Sequence, residues 1–412
     1  VLEMVVWSVV ASIVVWAITL PLVMLRFHLV SPACILLNLP LVPLTSFALI
    51  LAGITLVLGA CWPPLGLPTA WLCNQCLHAT DGLVRLGLSW RWGHWFTAGP
   101  SADWILALYA LLAIALVATV GAWPVRKLAW GTLAALVLFA LMADRLAPRE
   151  GDREAILLDV GHGLAVVLRT ASGHAVLYDC GKMHDPHVGR RLIAPALWAM
   201  GVSYLDQIII SHADVDHCNG LGDLLDRFPT GSVLVPAGFV GPHRPEAARL
   251  LASVRSRGIP VREFMLGERL ELGASLAGTV LHPGPGLPIG APDNDRSLVL
   301  DVTDGARHLL LTGDLDGSGL PALVSGPRRR VDVLVAPHHG GRSANPPWLY
   351  DWTRPGVVLV SQRRPLPGVR DGLAFLETRG TPLLRTYQSG AIRVRWRADD
   401  LLVDSHVGNH VI

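Results

Sequence analysis

Ser211-His212-Ala213-Asp214-Val215-Asp216-His217-Cys218-Asn219-Gly220 follows directly on the apolar run Ile208-Ile209-Ile210. Two histidines and two carboxylates fall within the six positions from His212 to His217. Imidazole nitrogen and carboxylate oxygen are the ligands that divalent transition metals take, and one strand-to-helix turn converges them on a point. A solvated turn with one Asp capping the helix that begins near Asn219 uses only one of these residues. Two later segments repeat the arrangement. Leu311-Thr312-Gly313-Asp314 and Ala336-Pro337-His338-His339-Gly340 each place an acid or a histidine at the end of an apolar, strand-like run.

Outward from these motifs the chain divides near Ala147. Over all 412 residues the hydrophobic fraction is 51% and the mean hydropathy +0.45, too apolar for an ordinary soluble protein. Before Ala147 charges are sparse, and four stretches reach the roughly 20 apolar residues of a membrane helix: about 4–25, 33–60, 102–122 and 128–145. The second carries Pro40 and Pro43, which membrane helices tolerate. Residues 68–95 read as an amphipathic helix whose Trp90, Trp92, Trp95 and Phe96 suit a membrane–water boundary, or equally as a hairpin packed on the protein itself. Arg26 and the pair Arg126-Lys127 put their loops in the cytoplasm and the following domain outside; Arg145, Arg149 and Arg153 pull the other way. The chain begins at Val1 within an apolar segment, which reads as a fragment with no legible signal peptide.

The six cysteines give no disulfide framework, and Cys73-x-x-Cys76 reads as packing rather than a redox or zinc pair. A net charge of +2 does not advertise nucleic-acid binding, so a DNA partner has to be argued from motifs. From Glu154 onward, strands at 155–160, 165–168, 175–179, 207–210, 232–235, 276–281, 297–302, 307–311, 332–335, 357–360 and 391–396 alternate with helices at 188–200 and 245–257. That pattern predicts one large α/β domain with its chemistry at the C-terminal ends of strands.

His212-x-Asp214-x-Asp216-His217, the later Asp314 and the late His338-His339-Gly340 resemble the metallo-β-lactamase fold, whose signature is H-x-H-x-D-H. Asp at the third position, the opening Leu158-Asp159-Val160-Gly161-His162-Gly163 and the late His-His-Gly resemble the ComEC family, the DNA-internalisation channels of natural competence. Ser8…Leu20-Pro21, Phe27-His28-x-x-Ser31-Pro32 and Leu37-Asn38-x-x-x-x-Pro43 resemble the end of that family's competence region, and Arg385-Thr386-x-x-x-Gly390-Ala391-Ile392 its closing pattern. The resemblance implies transmembrane helices over 1–147, the C-terminal part of the channel region, then an αββα metallo-β-lactamase-like hydrolase domain over 152–400. It implies a multi-pass inner-membrane protein with an extracytoplasmic hydrolase domain, passing single-stranded DNA inward beside other competence proteins, and a metal-dependent phosphodiesterase or nuclease. The alternatives are a non-catalytic DNA-guiding module and a membrane-tethered hydrolase of small phosphodiesters.

In the ligand set that the resemblance implies, His212 and Asp214 serve a first ion, Asp216 and His217 serve a second with His338, and Asp314 bridges. Asp216 also takes a catalytic role, and His339 is either a proton donor beside the ligands or a packing residue. Asp214, where relatives of the fold carry His, shifts preference from Zn²⁺ toward Mn²⁺ or Mg²⁺. The fold's middle histidine has no clear counterpart; Asn294, Asp295 and Ser297 occupy its region, and Asn294 and Ser297 become candidate substrate contacts. Arg393 and Arg395, alternating with Arg397, form a row suited to phosphates or an ordinary solvated face. Two departures concern substrate positioning: the family's D-V-G-Q-G-D-S is here Asp159-Val160-Gly161-His162-Gly163-Leu164-Ala165, and its late Gly-His-Pro is replaced by Ser361-Gln362-Arg363-Arg364-Pro365-Leu366-Pro367. Asp159 and Asp179 read either as orienting the metal loop or as turn residues, and Cys218 as a small packed residue. His162, His174, His184, His187, His243, His282 and His308 read as loop or surface residues.

Overall fold

A computed structural model describes residues 2–118, 127, 130–135, 153–170, 172–241, 245–273, 276–284, 287, 290–365, 371–397 and 400–407. The chain separates into two compact units, Val1–Leu146 and Ala147–Ile412.

In the first unit, α1 (Leu2–Phe27) and α2 (Ala33–Cys61) are apolar on every face. Val6–Phe27 and Ala33–Cys61 are each long and apolar enough to cross a membrane. The third expected span contains α4 (Ala102–Ala118), and the remainder of that stretch and most of the fourth lie outside the described residues, as do Arg126, Arg145 and Arg149. Between α2 and α4 runs α3 (Pro63–Ser89), which starts with Pro in its first turn and ends before the aromatic cluster. It folds back onto α2: Thr55 and Thr69 share a 2.8 Å hydroxyl hydrogen bond, and Cys73 and Cys76 pack against Ala48 and Leu51. Both cysteines are free thiols. The His28-x-x-Ser31 stretch closes this unit. β1 (Leu29–Val30) pairs antiparallel with β2 (Trp95–Phe96), Ser31 Oγ donates to Gly93 O at 3.1 Å, and Trp16 Nε1 donates to Ser31 O at 3.0 Å.

The second unit is an αββα sandwich. Its first sheet has the order β17-β16-β3-β4-β5-β6-β7-β8, with β3 (Arg153–Leu157), β4 (Val166–Arg169), β5 (Ala175–Tyr178), β6 (Leu205–Ile209), β7 (Thr230–Pro236), β8 (Val261–Phe264), β16 (Ile392–Arg397) and β17 (Asp400–Ser405). The second has the order β15-β14-β13-β12-β11-β10-β9, with β9 (Arg269–Glu271), β10 (Ala277–His282), β11 (Val299–Asp304), β12 (Arg307–Leu311), β13 (Val333–Val335), β14 (Val357–Val360) and β15 (Leu383–Arg385). β5 to β8 are mutually parallel, as are β12 to β15.

Two-residue periodicity sorts the side chains between layers. Leu309, Leu311, Val333, Val335, Val357 and Leu359 face the first sheet's Val166, Leu168, Val176 and Ile209 in the sandwich core. Their alternates Leu310, Leu334 and Val358 face outward, against Leu320 and Leu323 of the helix Gly319–Val324 and Leu349 and Trp352 of the helix Pro347–Thr353. Because β5, β6, β12, β13 and β14 all end on residues named above, the motifs Asp179, Ser211–His217, Thr312–Asp314, Pro337–Gly340 and Ser361 emerge together at the C-terminal rims of two facing parallel blocks.

Candidate metal centre

The loop after β6 is anchored before it turns. Asp179, at the end of β5, is fully buried with φ of 56°, a conformation that Asp tolerates better than most residues. Its carboxylate accepts from Ser211 N and Ser211 Oγ, both at 2.7 Å, and from His217 Nδ1 at 2.7 Å. This carboxylate–histidine contact fixes the ring and leaves Nε2 as the free lone pair. Asp214 stands at the N-cap of the short helix Val215–Cys218 but makes no side-chain cap bond. Its carboxylate lies instead 3.5 Å from His212 Nε2, and that neighbouring imidazole depresses its pKa.

The segment after β12 closes on this loop through glycine. Gly313 has φ of +52°, and a Cβ there would sit 2.8 Å from Ser211 Cβ. Thr312 Oγ1 donates to Val335 O at 2.7 Å, and Asp314 N donates to Ser297 Oγ at 3.2 Å. Asp314 is thereby set with Oδ1 at 3.0 Å from His217 Nε2. The segment after β13 supplies His339: its Nδ1 donates to Ser361 O at 3.0 Å, and its Nε2 lies 3.4 Å from Asp216 and 3.5 Å from Asp314. Ser361 is itself held by a 2.6 Å bond from its Oγ to Gly163 O.

One ligand atom from each of Asp216, His217, Asp314 and His339 lies within 4.8 Å of all the others. The buried atoms His217 Nε2, His339 Nε2 and Asp314 Oδ1, with the neighbouring His212 Nε2, have no hydrogen-bond partner. Leaving such groups unmatched costs about 1–3 kcal/mol each, more when charged. A divalent cation within the four-residue cluster would satisfy His217 Nε2, His339 Nε2 and Asp314 Oδ1, so the donor set fits a metal ion. Electrostatics agree. Burial works against charge on His217, yet the Asp314 and Asp179 carboxylates raise its pKa well above the ordinary value. Burial likewise opposes charge on Asp314, but His217 and His339 hold its carboxyl well below the usual carboxylate range. Asp216 is lowered too, its burial outweighed by the nearby imidazoles of His339 and His217.

Several expected roles change. The late histidine that reaches the cluster is His339, whereas His338 turns its Nδ1 to Asp316 at 3.1 Å, leaves Nε2 3.9 Å from Asp314 and is 35% exposed. Both histidines have left-handed backbone, φ 49° and 54°, which rotates the second side chain inward and the first outward. Asp214 is 47% exposed and, with buried His212, adjoins the four-atom cluster rather than joining it. Ser297 is buried and spends its hydroxyl on Asp314 N, so it serves the loop and not a substrate. Asn294 lies half-buried in the turn before β11. Arg393 and Arg395 are tied to Asp404, and Arg393 also to Glu154, which neutralises the expected phosphate row.

Of the histidines read as loop or surface residues, His282 is placed otherwise, and His162, on a loop as expected, also stands at the cluster. His282, at the end of β10, is fully buried; its Nδ1 donates to Ser297 O at 3.0 Å while its Nε2 has no partner. His162 stands over the cluster, with Nε2 3.7 Å from Asp216 and its ring 4.5 Å from that of His339; burial and His339 lower its pKa. No local pattern in the sequence marks either one, since both follow short strand-to-loop turns whose folding decides where they point. His243 lies outside the described residues. Beside the cluster opens a cleft of about 590 Å³, lined in part by His162, His338, Arg342, Arg363, Arg385 and Tyr387.

Residues 158–362 match the metallo-beta-lactamase superfamily, and residues 2–123 match the competence protein family. ComE operon protein 3 of Bacillus subtilis is 26% identical over 409 residues, covering 92% of this chain and 50% of that protein. Competence protein ComA of Neisseria gonorrhoeae is 29% identical over 307 residues, covering 72% of this chain and 39% of its own length. The chain thus spans about half or less of these curated relatives. Among solved structures, a diphosphatase of the PhnP family is 15% identical with a TM-score of 0.36, covering 59% of this chain and 98% of its own. With its competence membrane region joined to a metallo-beta-lactamase superfamily domain, the chain belongs to the ComEC family.

Proposed function

We propose that this chain belongs to an inner-membrane protein of DNA uptake, in which the membrane unit helps pass single-stranded DNA and the sandwich unit hydrolyses DNA phosphodiesters outside the membrane. The observation that carries the hydrolytic part is the convergence of His217 Nε2, His339 Nε2 and Asp314 Oδ1, all buried and unpartnered, with Asp216 beside them. These four residues would hold one divalent ion, and His212, Asp214 and Asp314 would hold a second. The carboxylate-rich set favours Mn²⁺, with Zn²⁺ and Mg²⁺ as the other candidates. When bound, such ions supply positive charge for a phosphoryl group and make water acidic enough to act as a nucleophile near neutral pH.

The chain's own groups do the rest. Asp179 and Ser361 hold the two histidine rings in the tautomer that offers Nε2 to the site. His162, poised over Asp216, borders the space a phosphate would enter. Buried Leu298, Leu164 and Val335 exclude water from behind the cluster. The family relationship to competence proteins supports DNA as the substrate and the bilayer as the setting.

A second reading, a DNA-guiding module without turnover, is favoured by one observation: Leu164 and Ala165, where the family carries a polar pair, are packed in the core and offer a substrate nothing polar. The full chain in detergent, given Mn²⁺ and an end-labelled single-stranded oligonucleotide, separates the two. Cleavage that Asp314→Ala abolishes is the expected result; an intact strand with both proteins removes the nuclease and leaves the guide.

A further inference from the structure

The cleft beside the cluster contains a second kind of chemistry. Many arginines in this unit are committed to carboxylates, as Arg307 is to Asp332, Arg329 to Asp301, Arg379 to Asp351 and, in the cleft wall itself, Arg385 to Asp371. Arg342 and Arg363 line the cleft, are exposed, and have no carboxylate partner among the described residues. Their positions are set by the site itself. Arg342 follows His339 by three residues, and Arg363 follows Ser361, whose carbonyl orients His339, by two. The same cleft is lined by half-buried Tyr387, on the turn whose Thr386 Oγ1 accepts the Gln362 amide at 3.2 Å. Two free guanidinium groups and one aromatic ring beside a phosphodiester site are the elements of a groove for single-stranded nucleic acid: cations follow the backbone and a ring stacks a base. At about 590 Å³ the cleft has room for a nucleotide unit.

We infer that the cleft is a strand-binding subsite, in which Arg342 and Arg363 hold phosphates neighbouring the one to be cut and Tyr387 stacks the adjoining base. This rests on the nuclease reading above and sharpens it: the substrate is a strand carrying several phosphates, not an isolated small diester. Asp371 does not oppose such a ligand because Arg385 pairs with it.

The test is fluorescence anisotropy of a labelled dT12 strand with the full chain in detergent, in EDTA, over a series of salt concentrations. The double variant Arg342→Gln/Arg363→Gln is expected to bind at least about tenfold more weakly, and to lower the slope of log affinity against log salt by about 1.4, or 0.7 per phosphate contact. Tyr387→Ala should weaken binding about fivefold or more and leave the slope alone. Arg342→Lys/Arg363→Lys should keep the slope, which separates lost charge from lost folding, and the remote Arg255→Gln should bind as the parent does. Equal affinity and slope in the double Gln variant and the parent overturn the subsite, as does a parent chain that binds no strand. A parent that binds through these residues but never cuts with Mn²⁺ overturns the nuclease and keeps the subsite; cutting with an unchanged slope in the double variant does the reverse.

Discussion

His217 Nε2 and Asp314 Oδ1 stand 3.0 Å apart in the interior, while Asp179 holds the other ring nitrogen of the imidazole. Two lone pairs at that separation repel unless a cation or a proton lies between them. Burial opposes charge on His217, but the Asp314 and Asp179 carboxylates raise its pKa well above the ordinary value, which favours a second proton on the imidazole of the metal-free chain. Metal binding must expel that proton, so affinity should fall as pH drops below the raised value, approaching about tenfold per pH unit for one proton. Titration calorimetry of Mn²⁺ in buffers of different ionisation enthalpy should report net release of about one proton per ion. Binding with no proton release would mean that His217 is neutral before the metal arrives.

The two adjacent histidines after β13 should differ sharply. His339 points into the cluster and His338 toward Asp316. We expect His339→Ala to lower metal affinity by about two orders of magnitude and His338→Ala by less than about one. Equal losses, measured by competition with a metal-binding dye, would count against the assignment.

Asp179 touches no ligand space of its own, yet it fixes Ser211 and His217 together. Asp179→Asn keeps the shape and removes the charge that steadies the ring. Metal affinity should drop about 10- to 100-fold while the far-ultraviolet spectrum stays unchanged. An unaltered affinity would make Asp179 a turn residue only.

Gly313 combines a left-handed backbone with a close approach to Ser211. Gly313→Ala must strain the backbone and push the Ser211 loop away, costing about 1–3 kcal/mol. A lowered unfolding midpoint, accompanied by weaker metal binding, is the expected outcome. An alanine variant as stable as the parent would show that the two loops do not depend on this contact.

Cys218 lies beside the ligands, and burial together with Asp179, Asp214 and Asp216 pushes its thiol up to about 12. Its thiolate fraction at pH 8 is on the order of one in ten thousand, too small for nucleophilic chemistry. Brief maleimide treatment of the detergent-solubilised chain at pH 8 should leave Cys218 and fully buried Cys180 unmodified in the peptide mass map. Rapid modification of Cys218 would contradict this.

What was legible in the sequence follows from which interactions are local. The central strands announce themselves because both faces are buried, so Val333-Leu334-Val335 and Val357-Val358-Leu359-Val360 are continuous apolar runs. The four strands of the sandwich that sequence periodicity does not mark, β8, β9, β15 and β17, are the edges of its two sheets. Edges are short and charged to discourage further pairing, as in Arg269-Leu270-Glu271, and so lose the apolar pattern by which strands are recognised. In the site, Asp216, His217 and Asp314 could be found because each ends or follows a central strand. Choosing His339 over His338 depends on two left-handed dihedral angles, and the position of His162 on a loop that crosses from another strand. Neither is written in local composition. The engagement of Arg393 and Arg395 by Asp404 is likewise a cross-strand fact: the register of β16 against β17 puts that carboxylate within reach of both.

The central claim is that Asp216, His217, Asp314 and His339 form a metal centre, and the metal content of the purified full chain tests it most directly. After incubation with Mn²⁺ and gel filtration, elemental analysis should find at least one ion retained per parent chain and a substoichiometric amount in Asp314→Ala and His217→Ala. Equal metal in all three proteins, or none in any, would contradict the account.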